Sequence, residues 1–124
     1  MNILVTGCNG QLGNEMQLQE KLYPQHTYFN TDVHDLDITD QAAVEAYVAD
    51  HEIDCIVNCA AYTAVDKAES NKELCTTLNT VAPAYLAAAV EKRGGAMVQI
   101  STDYVFDGTH HTPYTETDTP APNS

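Results

Sequence analysis

The stretch Asn2-Ile3-Leu4-Val5-Thr6-Gly7-Cys8-Asn9-Gly10-Gln11-Leu12-Gly13 decides how the rest of the chain folds. Its apolar run predicts a short buried strand, and glycines then recur at three-residue intervals before a helical pattern begins. In a strand–turn–helix unit, Gly7 permits a tight turn, Gly10 lets the backbone approach a pyrophosphate, and Gly13 lets helix and strand pack closely. The stretch therefore predicts a dinucleotide-binding unit, with an ordinary glycine-rich turn as the alternative.

An acidic residue stands where the second strand of such a unit should end. The run Thr27 to Thr31 is rich in strand-forming residues and is followed directly by Asp32. Asp32 lies roughly 20 residues beyond the last glycine, where an acid accepts hydrogen bonds from the adenosine ribose hydroxyls. Asp32 is thus a candidate cofactor ligand, and a plain turn aspartate is the alternative.

Strands and helices alternate along the remainder of the chain. We expect a helix ending near His51, an apolar strand over Asp54 to Cys59, a long helix ending at Gly94-Gly95, and a fourth strand over Ala96 to Ile100. This alternation predicts an α/β fold, a Rossmann-type doubly wound parallel sheet with helices on both faces and strands in the order 3-2-1-4. We expect residues 1–124 to form one domain.

Two predicted strands end in residues suited to a binding site. The third strand leads into Ala60-Ala61, whose small side chains leave room for a ligand. The fourth leads into Ser101-Thr102-Asp103-Tyr104, a cluster of hydroxyls with one carboxylate. Since ligands of such sheets bind at the carboxyl ends of the strands, both segments are site candidates by position.

The long helix contains a proline in its interior. Pro83 cannot donate a hydrogen bond to the carbonyl of Asn79, so we expect a kink with a free carbonyl near Asn79. The residues before this helix, 62 to 69, are expected to form a polar loop.

Composition excludes several classes of function. The net charge of −13 argues against nucleic-acid or anionic-membrane binding, which needs clustered Lys and Arg. No apolar stretch approaches the roughly 20 residues of a membrane span. The four cysteines form no metal-like spacing, which favours free thiols in a reducing cytoplasm and no metal site. The pair His110-His111 is expected to be an exposed loop feature.

Three further motifs carry a resemblance to a known family. They are Asn58-Cys59-Ala60-Ala61-Tyr62-Thr63, then Ala64-Val65-Asp66-Lys67-Ala68-Glu69, and Ser101-Thr102-Asp103-Tyr104-Val105-Phe106. With them, the whole chain resembles the N-terminal part of the dTDP-4-dehydrorhamnose reductases, which are extended short-chain dehydrogenase/reductases. The glycine loop is shared by that whole superfamily, whereas the second and third motifs are much more specific to the reductase.

The resemblance implies a function and a set of site residues. It implies binding of NADH or NADPH, reduction of the 4-keto group of dTDP-4-dehydro-L-rhamnose to give dTDP-L-rhamnose, and a homo-oligomer. It implies substrate contacts at Thr102 and Asp103, with the Thr102 hydroxyl on the reacting carbonyl as the catalytic candidate. Together with the pattern of Gly7 and Gly13, it implies cofactor contacts at Gly10, Gln11 and Leu12 (pyrophosphate), Asp32 (ribose), Asp37 and Ile38 (adenine), and Ala61, Tyr62 and Thr63 (middle of the cofactor).

The sequence departs from the family pattern in one respect. A Tyr-x-x-x-Lys motif, which supplies the usual proton donor and its lysine, occurs nowhere in residues 1–124. We therefore expect the NAD(P)-binding half only, truncated before that motif and inactive as it stands. An unpaired fourth strand, around Val98 and Ile100, is further expected to make the chain self-associate.

Two alternative functions remain compatible with the sequence. One is another extended short-chain enzyme acting on a nucleotide sugar, an epimerase or a dehydratase. The other is a non-catalytic NAD(P)-binding module resembling the β-type regulatory subunits of methionine adenosyltransferases. In either case Asp32 favours NAD over NADP, because its charge would repel a 2′-phosphate.

Overall fold

The computed structural model describes residues 1–123, and within them a parallel sheet organises the fold. Its strands are β1 (Asn2–Thr6), β2 (Thr27–Thr31), β3 (Cys55–Asn58) and β4 (Ala96–Gln99). They lie side by side in the order β2-β1-β3-β4, and every neighbouring pair is parallel. The predicted α/β class and parallel sheet are therefore confirmed.

The predicted strand order 3-2-1-4 is wrong. That order requires a third strand on the outer side of β2, but the chain after β2 forms turns in which Asp35 and Leu36 donate backbone N–H bonds to the carbonyl of Asp32. The next helix then carries the chain back across the sheet. The following strand consequently pairs with β1 on its other side, with Ile3 opposite Cys55.

The helices differ from the predicted ones mainly at their ends. Within the described residues they are α1 (Gln11–Glu20), α2 (Gln41–Asp50), α3 (Val65–Ala68), α4 (Lys72–Thr76), a π-helical turn (Thr77–Val81) and α5 (Ala82–Glu91). Helix α1 begins two residues before Gly13 instead of after it, and it ends at Glu20. The short α3 lies inside the segment predicted to be a polar loop.

A π-helical turn lies just before Pro83, in the region where a kink with a free carbonyl was predicted. The π-helical turn Thr77–Val81 separates α4 from α5, and Pro83 lies in the first turn of α5. The backbone stays helical from α4 through this turn into α5, so the missing N–H of Pro83 falls within a continuous helical run that the widened turn interrupts. Single π-helical turns inside helices are frequent at functional sites.

The main core lies on one face of the sheet, under α2 and α5. It packs Leu4 of β1 and Ile56 of β3 against Val44, Val48 and Leu86 of those helices, and all five are buried. Burying each such side chain contributes about 1.5–3 kcal/mol relative to its exposed state. This packed layer fixes the carboxyl ends of the strands relative to one another.

The opposite face carries α1 and is more open. In α1 only Gly13 is buried, and Leu18 is 55% exposed. Strand β4 forms one edge of the sheet, where Val98 is 49% exposed and Ile100, just beyond it, is 42% exposed. The expected apolar edge is thus present. Among residues 1–123, none of the helices has the length and apolar character that crossing a bilayer requires.

Candidate functional site

A cavity of about 420 Å³ opens at the carboxyl edge of the sheet, beside the ends of β1, β2 and β3. Its size is within the usual range for small-molecule and cofactor sites. Six of the predicted cofactor-binding residues line it: Gly7, Gly10, Asp32, Asp37, Ile38 and Ala61. Gln11, Leu12, Gly13, Tyr62 and Thr63 lie in adjoining segments but do not form its walls.

Two glycines of the loop are required by packing. Gly7 has a φ of +63°, and a Cβ atom there would lie 2.7 Å from the backbone nitrogen of Ala60. A Cβ atom on Gly13 would overlap the carbonyl oxygen of Gly7 and approach the Cα of Cys8 to 2.5 Å. The predicted tight turn at Gly7 and close helix–strand approach at Gly13 are therefore what the backbone shows.

Gly10 behaves differently from these two. A Cβ atom there would meet only the carbonyl oxygen of Gly7, at 3.4 Å, which is an ordinary contact. Packing within the chain therefore leaves room for a side chain at this position. Since Gly10 lines the cavity, the space in front of it is available to a ligand.

The N-terminus of α1 lies beside the cavity without a side-chain cap. Gly10 occupies the cap position and offers no acceptor to the N–H groups of the first turn. At α2, by contrast, Asp40 caps the helix, accepting a hydrogen bond from the Ala43 N–H at 3.1 Å. An uncapped helix start presents free donors and a partial positive charge, the combination that binds phosphate groups. Among residues 1–123, no Lys or Arg lines the cavity, so an anion there would depend on these backbone groups.

The carboxylate of Asp32 is held by backbone donors. One oxygen accepts from the N–H of Val33 at 2.8 Å, and the other accepts from the N–H of Asn9 at 3.3 Å. The second bond joins the end of β2 to the glycine loop. Each oxygen keeps a further lone pair for a ligand hydroxyl, because an ionised carboxylate has about four acceptor positions.

A turn after β2 supplies the next part of the wall. The hydroxyl and then the backbone N–H of Thr39 donate to Asp37, at 2.6 and 2.9 Å, and these bonds hold the pKa of the Asp37 carboxyl below its ordinary value. Leu36 and Ile38 on either side are buried apolar residues that line the cavity. The turn thus combines an apolar wall with a fixed carboxylate, which suits a flat aromatic base with exocyclic donors.

Asn79 fixes the loop after β3, and sequence reasoning missed it. Its side-chain oxygen accepts from the N–H of Tyr62 at 2.8 Å, and its side-chain nitrogen donates to the carbonyl of Tyr62 at 3.1 Å. Asn79 stands in the π-helical turn, so the widened turn places a side-chain amide against the Ala61–Thr63 segment. The sequence offered one signal for this role, an asparagine four residues before a proline inside a predicted helix.

Thr102 and Asp103 lie outside the cavity, on the exposed segment that follows β4. The Thr102 hydroxyl accepts a bond from the N–H of Tyr104 at 3.1 Å and donates one to a carboxylate oxygen of Asp103 at 3.4 Å. The structure therefore does not bring the two predicted substrate residues into this cavity. Thr102 and Asp103 lie at the same edge of the sheet as the cavity but are not part of its walls.

Several other cavity residues were not predicted to bind a ligand. Thr6 and Thr31 are the buried last residues of β1 and β2 and line the cavity. Cys59 also lines it, and burial raises the pKa of its thiol. For Cys8, in the glycine loop, burial and then the charges of Asp32 and Asp35 raise the thiol pKa. Both thiols are accordingly protonated at neutral pH, which argues against a nucleophilic cysteine here.

Comparison with known proteins identifies the family. The family model described as "RmlD substrate binding domain" matches residues 1–124. The chain belongs to this family.

Solved and curated relatives agree with that assignment. A dTDP-4-dehydrorhamnose reductase from Clostridium acetobutylicum is 48% identical, with a TM-score of 0.95 over 100% of this chain and 44% of that one. The reductase from Bacillus anthracis in complex with NADP is 40% identical, with a TM-score of 0.90 over 98% of this chain and 43% of that one. A dTDP-4-dehydrorhamnose reductase from Burkholderia thailandensis is 45% identical over 98% of this chain and 40% of its own length. The chain thus spans less than half the length of these relatives.

Proposed function

We propose that this chain is the NAD(P)H-binding part of a reductase that converts dTDP-4-dehydro-L-rhamnose to dTDP-L-rhamnose. One observation carries the proposal: the glycine loop, the uncapped start of α1 and the Asp32 carboxylate meet at a single cavity. Membership of a family whose solved relatives are named as this reductase supports the choice of substrate.

The cavity suggests how the cofactor would be held. The backbone at Gly10, Gln11 and Leu12 would bind the pyrophosphate, because no cationic side chain is available there. Asp32 would accept hydrogen bonds from the adenosine ribose. The adenine would lie against the Asp37–Ile38 turn, and residues 61–63 would line the middle of the cofactor. When bound, the nicotinamide supplies hydride to the sugar ketone.

The charge of the cavity favours NADH over NADPH. Asp32 and Asp37 are acidic, and no Lys or Arg lines the walls, so a 2′-phosphate would find no cationic partner. The Bacillus anthracis relative is solved with NADP. We therefore expect both cofactors to bind, with NADH the tighter of the two.

Thr102 would act on the ketone oxygen. Its hydroxyl accepts a bond from the N–H of Tyr104 and donates a long one, 3.4 Å, to Asp103, and donation to the ketone would replace the second bond. A donor placed where negative charge develops stabilises the transition state more than the ground state. Asp103, beside it, would contact the sugar. The four free thiols fit a reducing cytoplasm as the place of action.

Binding and turnover measurements together test the proposal. Titration of the purified chain with NADH, followed by cofactor fluorescence, should give saturable binding that the Gly10→Val variant loses. The full-length protein should oxidise NADH only when dTDP-4-dehydro-L-rhamnose is supplied.

Conversion of a UDP-linked sugar without net NADH oxidation would indicate an epimerase instead. Binding without any turnover would indicate a regulatory module. Residues 1–124 alone, which contain no Tyr-x-x-x-Lys, should bind weakly and show no turnover.

A further inference from the structure

The last row of the sheet is polar on all four strands. Thr31, Thr6, Asn58 and Gln99 are partners in register, one at the end of each strand. The row two residues earlier, toward the same face, is Phe29, Leu4, Ile56 and Met97 and is entirely apolar. The change from apolar to polar therefore occurs at the edge of the sheet that carries the cavity, and it extends beyond the cavity to β4.

Three of these side chains form a continuous hydrogen-bond chain. The Thr6 hydroxyl donates to the Asn58 side-chain oxygen at 2.5 Å, and the Asn58 side-chain nitrogen donates to the Gln99 side-chain oxygen at 2.8 Å. The Gln99 side-chain nitrogen then donates to the backbone carbonyl of Ile100 at 2.9 Å. The chain thus runs from a wall of the cofactor cavity to the first residue beyond β4.

The direction of this chain is fixed by its last member. The Ile100 carbonyl can only accept, so Gln99 must donate to it with its nitrogen and must accept with its oxygen. Asn58 must then donate to Gln99 and accept from Thr6. Asn58 is fully buried, with 0% exposure, so its amide has no access to water as a replacement partner. A reversed amide at any step would place two acceptors or two donors against each other.

Gln99 is exposed, and its hydrogen bond to the Ile100 carbonyl attaches the segment that contains Thr102. The N–H of Ile100 donates to the carbonyl of Asn58 at 3.4 Å, a long bond. The Gln99 bond therefore provides the second attachment of Ile100, on its carbonyl side. The peptide so attached leads directly to Ser101, Thr102 and Asp103.

We propose that Gln99 is a positioning residue: through the Thr6–Asn58–Gln99 hydrogen-bond chain it aligns the Ser101–Asp103 segment with the cofactor cavity. This inference rests on the proposed function, because it assigns Thr102 to the substrate. Gln99 acts through the backbone of Ile100 and does not touch the substrate. Its contribution should therefore appear in turnover and not in cofactor affinity.

The decisive variant is Gln99→Glu, which keeps the size of the side chain and removes its donor. One carboxylate oxygen can still accept from Asn58, but the other would face the Ile100 carbonyl as a second acceptor. At pH 7.5 we expect kcat of the full-length protein to fall about tenfold, with the NADH dissociation constant within twofold of wild type. Gln25→Glu introduces the same charge at an exposed position and should leave both values unchanged.

A second variant distinguishes positioning from a general loss of structure. Gln99→Met keeps the length of the side chain but can neither donate to the Ile100 carbonyl nor carry a charge. It should lower kcat to a similar extent, with the NADH dissociation constant and the midpoint of thermal unfolding close to those of wild type. Loss of NADH binding together with kcat would overturn the proposal, as would wild-type kcat in Gln99→Glu.

A measurement without substrate separates this proposal from the proposed function. Hydrogen exchange at residues 101–104 should be faster in Gln99→Glu and in Gln99→Met than in wild type at pH 7.5. If wild type reduces no sugar nucleotide but shows this exchange pattern, the proposed function fails and the positioning role of Gln99 stands. Equal exchange in wild type and both variants would overturn the role of Gln99 whatever the substrate.

Discussion

The two regions that the proposed reaction would bring together are built in contrasting ways. At the ends of β1 and β2, Thr6 and Thr31 are at most 2% exposed, and Gly7 and Gly13 lie against backbone atoms. After β4, the segment from 100 to 123 is largely exposed and contains no helix or strand. The cofactor side is therefore shaped by packing, whereas the substrate side depends on local hydrogen bonds.

In the segment after β4, the contacts join residues that are close together in the sequence. Phe106 stacks on Tyr114 with ring centroids 4.1 Å apart, and His110 lies on the same tyrosine at 5.1 Å. Asp107 accepts bonds from the N–H and hydroxyl of Thr109, and these bonds hold the pKa of its carboxyl below the ordinary value. Such contacts shape the segment from within but do not attach it to the sheet. Substitutions should thus damage the two regions differently, through folding and binding in the first and through turnover in the second.

The largest effect is expected from Gly13→Val. Its side chain would overlap the Gly7 carbonyl and the Cys8 backbone, neither of which can move without disturbing β1. Overpacking of this kind costs about 1–3 kcal/mol, and more where backbone must shift. Urea unfolding should show this loss, and NADH binding should disappear.

Gly10→Ala is the matched control for that variant. The added methyl group would meet only an ordinary contact at 3.4 Å, so stability should stay within about 1 kcal/mol of wild type. Binding of NADH should still weaken, because the methyl group points toward the space for the pyrophosphate. Equal instability in both variants would contradict the distinction between packing and ligand approach.

On the substrate side, Thr102→Val in the full-length protein should lower kcat by about 10²-fold, the usual cost of removing one donor to developing charge. The Michaelis constant for NADH should stay near its wild-type value, because Thr102 lies outside the cofactor cavity. Thr112→Val changes an exposed threonine of the same segment and should have no effect. Wild-type kcat in Thr102→Val would leave this hydroxyl without a chemical role.

A smaller effect is expected at the other end of the cofactor. Asp32→Ala should raise the Michaelis constant for NADH about tenfold, since a hydrogen bond to a charged group contributes about 1.5–3 kcal/mol. It should also shift preference toward NADPH, because the charge that repels a 2′-phosphate is gone. Asp50→Ala removes the same charge at the end of α2 and serves as the control. Unchanged constants for both cofactors would exclude Asp32 from the site.

The first region was also the more predictable from sequence. The roles of Gly7 and Gly13 follow from local spacing, and the structure confirms them through φ and close backbone contacts. The strand order was not predictable in this way, because it depends on whether residues 32 to 40 form a strand or, as found, turns. In the structure Leu36 and Ile38 pack into the core, and this packing goes with turns and not with a strand. The local sequence pattern does not predict such packing.

Contacts between distant segments account for what sequence reasoning missed. Asn79 bonds Tyr62, and Asn58 bonds both Thr6 and Gln99, across separations of 17, 52 and 41 residues. No spacing rule in the sequence predicts these contacts. The register of the sheet and the π-helical turn determine which of these side chains meet. The predicted substrate residues Thr102 and Asp103 rest on resemblance for the same reason.

The smallest expected effect is weak self-association of the 124-residue chain through the edge formed by β4. One side of that strand has no neighbour among the described residues, and Val98 and Ile100 are about half exposed there. Exposed, apolar strand edges pair readily with other chains, and a lysine on the edge is a common means of preventing it. We expect Val98→Lys to make the chain monomeric while leaving the core under α2 and α5 intact.

Sedimentation velocity at tens of micromolar, an arbitrary but informative concentration, can check this expectation. Wild type should contain dimers or larger species, Val98→Lys should be monomeric, and Leu22→Lys should behave as wild type. Leu22 is the appropriate control because it is also exposed, at 67%, but lies after α1 and away from β4. A monomeric wild type would refute the association. Dissociation by Leu22→Lys would instead indicate that the chains associate through the open face that carries α1. The β4 edge would then not be the cause of self-association.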